Sequence, residues 1–150
     1  MQSKNIYSVP IDVDAVTRTQ RDSIAHVGDM IHAIDFDAPE GTPVFAAADG
    51  IVIALKNDSS VGGTDQKFED DANYVEILHE NGEVSEYEHL LLNSIRVKVG
   101  ESVKRGEVIA SVGNTGWSEC PHLHFMVYPN GQRYKTLEIN FEPPIRKLSQ

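Results

Sequence analysis

Two histidines stand two positions apart in the letters P-H-L-H-F, as His122 and His124. Side chains alternate between the two faces of a β-strand, so both imidazoles are expected on one face and Leu123 and Phe125 on the other. Such a pair can bind one metal ion, or one imidazole can bind metal while the other moves protons. Two surface histidines on an amphipathic strand would give the same pattern, so the rest of the chain has to decide.

Asp35 and His89 are further candidates for chemistry. Asp35 follows Ile34 on a predicted strand, and a carboxylate in an apolar setting needs a charge partner or a metal. The polar face of a half-exposed strand is the alternative for Asp35. His89 occurs in the letters Y-E-H-L, where alternation puts it on the same face as Tyr87. A solvent-facing strand position is the alternative for His89.

The composition predicts one all-β domain. The chain has 150 residues, 40% of them apolar, which suits a single domain with a core over about residues 26–142 and peripheral segments at 1–25 and 143–150. Its 11 Gly and 7 Pro separate short apolar runs, and no helical apolar period is present. We therefore predict an antiparallel sheet or sandwich-like fold with a groove formed by surface loops.

Strands are expected near 6–11, 30–36, 44–48, 51–55, 74–79, 84–90 and 134–141. The pairs Asp49-Gly50 and Asn81-Gly82 each predict a tight hairpin between the strands that flank them. Residues 15–24 and 57–71 are polar and are predicted to be loops.

Charge and cysteine content exclude several classes of function. The net charge of −10 argues against a nucleic-acid or anionic-membrane surface, since phosphate binding needs clustered Lys and Arg. The single cysteine, Cys120, excludes an internal disulfide and a multi-cysteine metal site. No apolar run is long enough for a transmembrane segment, and the first residues lack the apolar core of a signal peptide. Oligomeric state has no signature in the sequence.

Five motifs occur together in a fixed order: H-x-G…A-I-D-F, P-E-G-T-P-V-x-A-A-x-D-G, Y-x-H-L, V-G-x-x-V-x-x-G and G-N-T-G-x-S-x-x-P-H-L-H-F. Over about residues 26–128 the chain resembles the lysostaphin/LytM-type zinc metallopeptidases, and the shared order makes the resemblance specific. The resemblance implies an antiparallel β fold with a groove, one Zn²⁺ per chain and cleavage of stem peptides or peptide cross-links of bacterial peptidoglycan. It also implies a location outside the cytoplasm, in the cell envelope or secreted.

Carried over motif by motif, the resemblance assigns Asp35 and His124 as zinc ligands and His122 and His89 as catalytic histidines. The resemblance also implies a second ligand His, earlier in the chain. Two imidazoles and one carboxylate leave a fourth tetrahedral position for water, the pattern of a catalytic zinc. His122 lies on the same strand face as His124, so it is placed to act as general base near the water. His89 would orient the substrate or stabilise the oxyanion.

The first metal ligand departs from the family pattern. The family's H-x-G-I-D puts the ligand His four residues before the Asp, and that position here is Ile31. His32 is three residues before Asp35 and faces the opposite side of a strand unless a bulge intervenes. His26 heads a match to H-x-G, with an insertion before Asp35. We favour His26 as the ligand.

Cys120 is the second departure, since the family usually has Gly at this position. A thiol there could bind or inhibit a metal, but we favour a small half-buried residue in an altered turn.

Two other functions compete with a peptidase. One is a catalytically degenerate member that binds or activates cell-wall hydrolases, which zinc content would distinguish. The other is a phosphoryl or lipoyl-type carrier, which would not need Asp35 beside several histidines.

Overall fold

Short β-strands make up most of the regular structure in a computed structural model that describes residues 1–20, 28–133 and 135–143. The strands are β1 (Gln2–Tyr7), β2 (Arg18–Gln20), β3 (Ile34–Asp37), β4 (Pro43–Phe45), β5 (Gly50–Lys56), β6 (Gly62–Gly63), β7 (Asn73–Leu78), β8 (Glu83–Leu90), β9 (Ser102–Val103), β10 (Val108–Ser111), β11 (Gly116–Trp117), β12 (His122–Pro129) and β13 (Glu138–Phe141). Single 3₁₀ turns lie at Val13–Ala15, Gly28–Met30, Gln66–Phe68 and Glu80–Gly82. Within these described ranges there is no α-helix, which confirms the all-β prediction. It follows that none of the described residues forms a helix long and apolar enough to cross a membrane.

A seven-stranded antiparallel sheet carries the candidate residues. Its strand order is β2-β3-β12-β8-β7-β5-β9, so β12 lies between β3 and β8 near the middle. Three two-stranded sheets complete the fold: β1 with β13 in parallel, β4 with β10 antiparallel, and β6 with β11 in parallel.

Strand β12 separates the hydrophobic core from the face that carries the histidines. Leu123, Phe125 and Val127 are fully buried in the main core on one side of the sheet. On the other side, Met126 and Tyr128 belong to a smaller apolar cluster. The strand is buried on both faces along almost its whole length. The alternation predicted from the sequence therefore fixes which side of the sheet the two histidines of H-L-H occupy.

One of the two predicted hairpins forms. β7 and β8 pair antiparallel, and Asn81 (φ 63°) and Gly82 (φ 67°) supply the positive φ values that a tight two-residue turn needs. The hairpin at Asp49-Gly50 does not form, because β4 pairs with β10 whereas β5 pairs with β7 and β9. Gly50 is not among the residues with positive φ. Its lack of a side chain serves close packing instead, since a Cβ there would lie 2.5 Å from the carbonyl oxygen of Leu78.

The predicted loop at 15–24 is wrong in part. Arg18–Gln20 is an edge strand that pairs with β3, with Gln20 opposite Asp35 and Arg18 opposite Asp37. A three-residue strand is too short to give a recognisable pattern of alternation. It forms because it pairs with the edge of β3, and that pairing cannot be predicted from the local sequence. This strand places polar side chains beside the candidate site.

Candidate active site

Asp35 and His124 lie directly opposite each other on the neighbouring strands β3 and β12. Residues opposite each other in an antiparallel pair project to the same face, so the carboxylate and the imidazole meet. The distance from His124 Nδ1 to Asp35 Oδ1 is 3.0 Å, and both side chains are largely buried. The structure therefore brings together two residues that stand far apart in the sequence.

The charge state of His124 follows from its surroundings. Burial alone would lower the pKa of its imidazole, but the hydrogen bond to Asp35 and the negative charge of Glu88 outweigh burial and raise the pKa to about 9. In the metal-free protein the ring is therefore protonated at neutral pH. A metal ion at Nδ1 would take the place of the proton that Asp35 holds there.

His122 is fixed by the turn that precedes it. Its Nδ1 lies 2.8 Å from the carbonyl oxygen of Cys120 and 3.0 Å from Ser118 Oγ. A carbonyl oxygen only accepts hydrogen bonds, so Nδ1 carries the proton and Nε2 presents its lone pair. Nε2 lies 3.7 Å from Asp35 Oδ1, on the same side of the sheet as His124. This imidazole is available as a base next to the other two side chains.

A β-bulge brings His89 to the same place. Between the pairs Tyr74↔Glu88 and Asn73↔Leu90 one extra residue is inserted in β8, and that residue is His89. Its φ of 67° is unusual for a residue other than glycine. A bulge re-aims side chains. The expectation that His89 shares the face of Tyr87 is therefore wrong.

The His89 ring packs against both other histidines. Its centroid lies 4.5 Å from that of His122 and 5.9 Å from that of His124. Nδ1 donates to the carbonyl oxygen of Thr115 at 2.6 Å, which leaves the Nε2 lone pair free to accept. Burial, together with the positive charge that the two neighbouring histidines can carry, lowers the pKa of His89 to about 3. His89 is therefore neutral over the physiological range.

These side chains line a cavity of about 280 Å³. Its wall comprises Arg18, Gln20, Asp35, Asp37, His89, Trp117, Ser118, Glu119, Cys120, His122 and His124. A more open cavity of about 760 Å³ also has His89, Trp117 and His124 in its wall, and continues past Glu88 and Arg133. The two cavities share His89, Trp117 and His124 in their walls and together form an open groove at the candidate site.

The model of peptidase family M23 matches residues 29–136, a range that contains Asp35, His89, His122 and His124. The chain belongs to peptidase family M23. The family inferred from the five motifs is thereby confirmed.

Three proteins illustrate the similarity of this chain to known peptidases. Residues of this chain are 37% identical over 106 positions to the peptidoglycan DD-endopeptidase ShyA of Vibrio cholerae, covering 71% of this chain and 22% of that protein. The catalytic domain of the antimicrobial peptidase lysostaphin from Staphylococcus simulans superposes with a TM-score of 0.58 at 30% identity, covering 78% of this chain and 77% of that one. A zinc-containing peptidase from Vibrio cholerae superposes with a TM-score of 0.62 at 29% identity, covering 89% and 39%. The chain spans about a quarter of the length of the curated relatives it matches.

The two candidates for the first metal ligand are not part of the described cavity wall. His26, the favoured first ligand, lies outside the described residues. The alternative, His32, is not in the wall of the 280 Å³ cavity, and its backbone N–H donates to Thr136 Oγ1 at 3.1 Å. His79 is buried and belongs to the wall of neither cavity.

Cys120 contributes its backbone to the M23 site. Its carbonyl oxygen accepts hydrogen bonds from His122 and from Ser118. Burial and the negative charge of Asp37 raise the pKa of its thiol, so little thiolate exists at neutral pH. These contacts agree with the expectation of a small half-buried residue in an altered turn.

Sequence reasoning missed several residues that shape the site. Thr115 and Ser118 lie within the motif G-N-T-G-x-S, but which of their atoms hold the histidines was not readable from the letters. Glu88 lies opposite His124 on β8. Alternation puts Glu88 on the same face as Glu86, so the letters signal a polar face, but only the strand order shows that this face meets His124. Trp117 bridges the two cavities, and its indole N–H donates to the carbonyl oxygen of Thr64.

The side chains at the site can be compared with those that a zinc ion requires. Among residues 1–20, 28–133 and 135–143, no group of three or more His, Cys, Asp or Glu side chains is arranged as a complete metal site. The described part of the chain does contain one carboxylate oxygen and one imidazole nitrogen within 3.0 Å of each other, from Asp35 and His124. Oxygen and nitrogen donors of these types suit Zn²⁺.

Proposed function

We propose that this chain is a zinc-dependent metalloendopeptidase that hydrolyses cross-links or stem peptides of bacterial peptidoglycan. The single observation that supports this most strongly is the meeting of Asp35, His124, His122 and His89 at one groove of an M23 domain. A carboxylate and several imidazoles at a groove are the groups that metal-assisted amide hydrolysis needs.

Asp35 and His124 are the proposed zinc ligands, through Oδ1 and Nδ1, with His26 as the third. One zinc ion held by these three side chains would polarise the scissile carbonyl and lower the pKa of a water molecule. The neighbouring solved structure named a zinc-containing peptidase supports this choice of metal. The short Asp35–His124 contact supports the pairing of the two ligands.

His122 is the proposed general base. Because its Nδ1–H is held by the carbonyl of Cys120, its Nε2 lone pair faces the cavity beside Asp35. It can take a proton from water during attack on the scissile carbonyl and return the proton to the leaving amine. The position of Nε2 is fixed by the turn before β12, so the base does not have to be ordered during the reaction.

His89 is proposed to orient a reactant by accepting a hydrogen bond. Its Nδ1–H is committed to Thr115, and its ring is neutral, so Nε2 has a lone pair and no proton to donate. A neutral ring in this tautomer accepts from a water or from a substrate N–H and does not stabilise an oxyanion. Of the two roles that the motif allows, orientation is therefore the better supported.

The substrate class is proposed from the relatives. Several similar proteins are named peptidoglycan DD-endopeptidases, and those from Neisseria meningitidis and Neisseria gonorrhoeae are named DD-carboxypeptidase/endopeptidase. The open groove that runs past His89, Trp117 and His124 is the proposed binding site for the peptide. Because peptidoglycan lies outside the cytoplasm, the proposed location is the cell envelope or the secreted fraction.

The test combines metal analysis with digestion. Purified protein should contain about one zinc per chain, and should release cross-linked peptides from at least one of a set of peptidoglycans that differ in bridge chemistry, as read by mass spectrometry. Removal of zinc by a chelator should abolish release and zinc addition should restore it. Bound zinc with no release from any peptidoglycan would favour a binding or activating module. Absence of zinc would overturn the proposal.

A further inference from the structure

The imidazole of His124 lies between two carboxylates from the two strands that flank β12. Asp35 of β3 and Glu88 of β8 both pair directly with His124 in the sheet. Asp35 Oδ1 is 3.0 Å from Nδ1, and Glu88 Oε2 is 3.5 Å from Nε2. Each ring nitrogen therefore lies near a different carboxylate: the Nδ1 contact is a hydrogen bond, and the Nε2 contact is a longer ion pair without hydrogen-bond geometry.

The Glu88 carboxylate is in turn contacted by Arg133. Its Oε2 lies 3.4 Å from Arg133 Nη2, and its side chain is only 13% exposed. Arg133 is fixed by a two-point ion pair with Glu86, at 2.8 Å from Nε to Oε1 and 2.7 Å from Nη2 to Oε2. Glu86 is fully buried. A planar two-point pair constrains orientation as well as distance, so the Glu88 carboxylate is set against a rigid support.

The two nitrogens of His124 then have different tasks. A ligand imidazole binds metal through one nitrogen, while the other carries a proton that needs an acceptor when the ring is buried. Nδ1 faces Asp35, the second proposed ligand, so Nε2 is the nitrogen that keeps its proton. The His124 side chain is only 6% exposed, which limits the chance that water supplies the acceptor.

We infer that Glu88 is a positioning residue that accepts the Nε2–H of His124 and so fixes Nδ1 as the metal-binding nitrogen. This inference rests on the proposed metal role of His124. A carboxylate in this position also makes the imidazole a stronger donor to the metal, because it stabilises the positive charge that develops on the ring.

The test is the zinc affinity of Glu88 variants, measured by competition with a chelator of known affinity. Glu88→Met keeps much of the side-chain volume but removes the acceptor, and it should weaken zinc binding by about 10- to 100-fold. Glu88→Gln keeps an oxygen that can accept the same proton, and it should recover part of that loss. Glu69→Gln is the matched control, because Glu69 belongs to the wall of the same wider cavity and the change removes one negative charge without touching His124. The control should bind zinc within about twofold of the unmutated protein.

A second measurement needs no substitution. Nuclear magnetic resonance of the zinc-loaded protein with ¹⁵N-labelled histidine should show His124 protonated at Nε2. A proton on Nδ1 would overturn the inference, even if Glu88→Met fails to fold. Zinc affinity in Glu88→Met equal to that of the unmutated protein would also overturn it, including the case where only KM rises because Glu88 contacts substrate. If the unmutated protein binds no zinc, the proposed function falls first and this inference with it.

Discussion

The imidazoles of His89 and His122 pack with their ring centroids 4.5 Å apart, although simple alternation along β8 would put His89 on the core side of the sheet with Tyr87. The bulge at His89, with its φ of 67°, turns the ring to the groove. A non-glycine residue held in this conformation indicates strain that the surrounding structure has to support. The strain coincides with the proposed catalytic position.

Replacement of His89 should separate stability from activity. Glycine adopts positive φ without a steric penalty, so His89→Gly should be more stable than His89→Ala by about 1–2 kcal/mol. Both variants should lose about 100- to 10,000-fold in kcat if the imidazole positions a reactant. Urea unfolding and steady-state kinetics on the same preparations measure the two effects. An alanine variant as stable as the glycine variant would contradict the account of the bulge.

His122 and His124 should differ in their effect on metal. His122→Ala should keep zinc near one per chain while kcat falls by about 100- to 10,000-fold, because its proposed task is proton transfer. His124→Ala should lose zinc, because it removes a proposed ligand. Metal analysis after dialysis distinguishes the two variants. Loss of zinc in His122→Ala to the same extent as in His124→Ala would show that the division of roles is wrong.

The first ligand can be assigned by a matched pair of substitutions. His26→Ala should abolish zinc binding, because His26 heads the H-x-G motif and is the proposed third ligand. His32→Ala should leave most of the zinc, since His32 is not in the wall of the cavity that holds the other candidates. Equal zinc content in purified His26→Ala and unmutated protein would refute the assignment.

His79 should make stability depend on pH at a distance from the groove. Its Nδ1–H donates to the carbonyl oxygen of Asp49 at 2.7 Å, so Nε2 accepts from the Ser85 hydroxyl at 2.7 Å. Burial lowers the pKa of His79 below its usual value of about 6.5. The unfolded chain therefore binds a proton that the folded protein resists, and this part of the stability is lost as pH falls through about 6.5.

The check is urea unfolding of the metal-free protein between about pH 8 and pH 5. The part of the unfolding free energy that comes from His79 should fall toward acid by about 1.4 kcal/mol for each unit of pKa depression, and the difference between the unmutated protein and His79→Gln isolates it from the titration of His89 and His124. His79→Gln should be less stable than the unmutated protein at pH 8 and should show a shallower fall. An unchanged pH dependence in His79→Gln would mean that His79 does not titrate on unfolding.

Local patterns predicted much of the fold, and the motif resemblance named Asp35, His89, His122 and His124, which the structure brings together. The alternation in H-L-H-F predicts which residues of β12 enter the core, and Asn81-Gly82 predicts the hairpin that joins β7 and β8. Both are local, because side-chain direction and turn conformation depend on neighbouring residues. The hairpin at Asp49-Gly50 failed because its two strands pair with distant partners, and pairing between distant strands leaves no local signal.

The details of the site depend on similarly distant relations. That Glu88 and Asp35 flank the same imidazole follows from the strand order β3-β12-β8, which no short segment encodes. The bulge that re-aims His89 depends on the register between β7 and β8. The motif resemblance placed His89 among the catalytic residues, whereas strand periodicity put its side chain on the wrong face.

The most direct test of the central claim uses a defined cross-linked peptide dimer purified from peptidoglycan. Incubation with zinc-loaded protein, followed by mass spectrometry, should convert the dimer to two smaller peptides whose combined mass exceeds the dimer by one water. The chelated protein and His122→Ala should leave nearly all of the dimer intact over the same time. A dimer that stays intact in the presence of protein carrying one zinc per chain, across the available bridge chemistries, would contradict the assignment as a peptidoglycan endopeptidase.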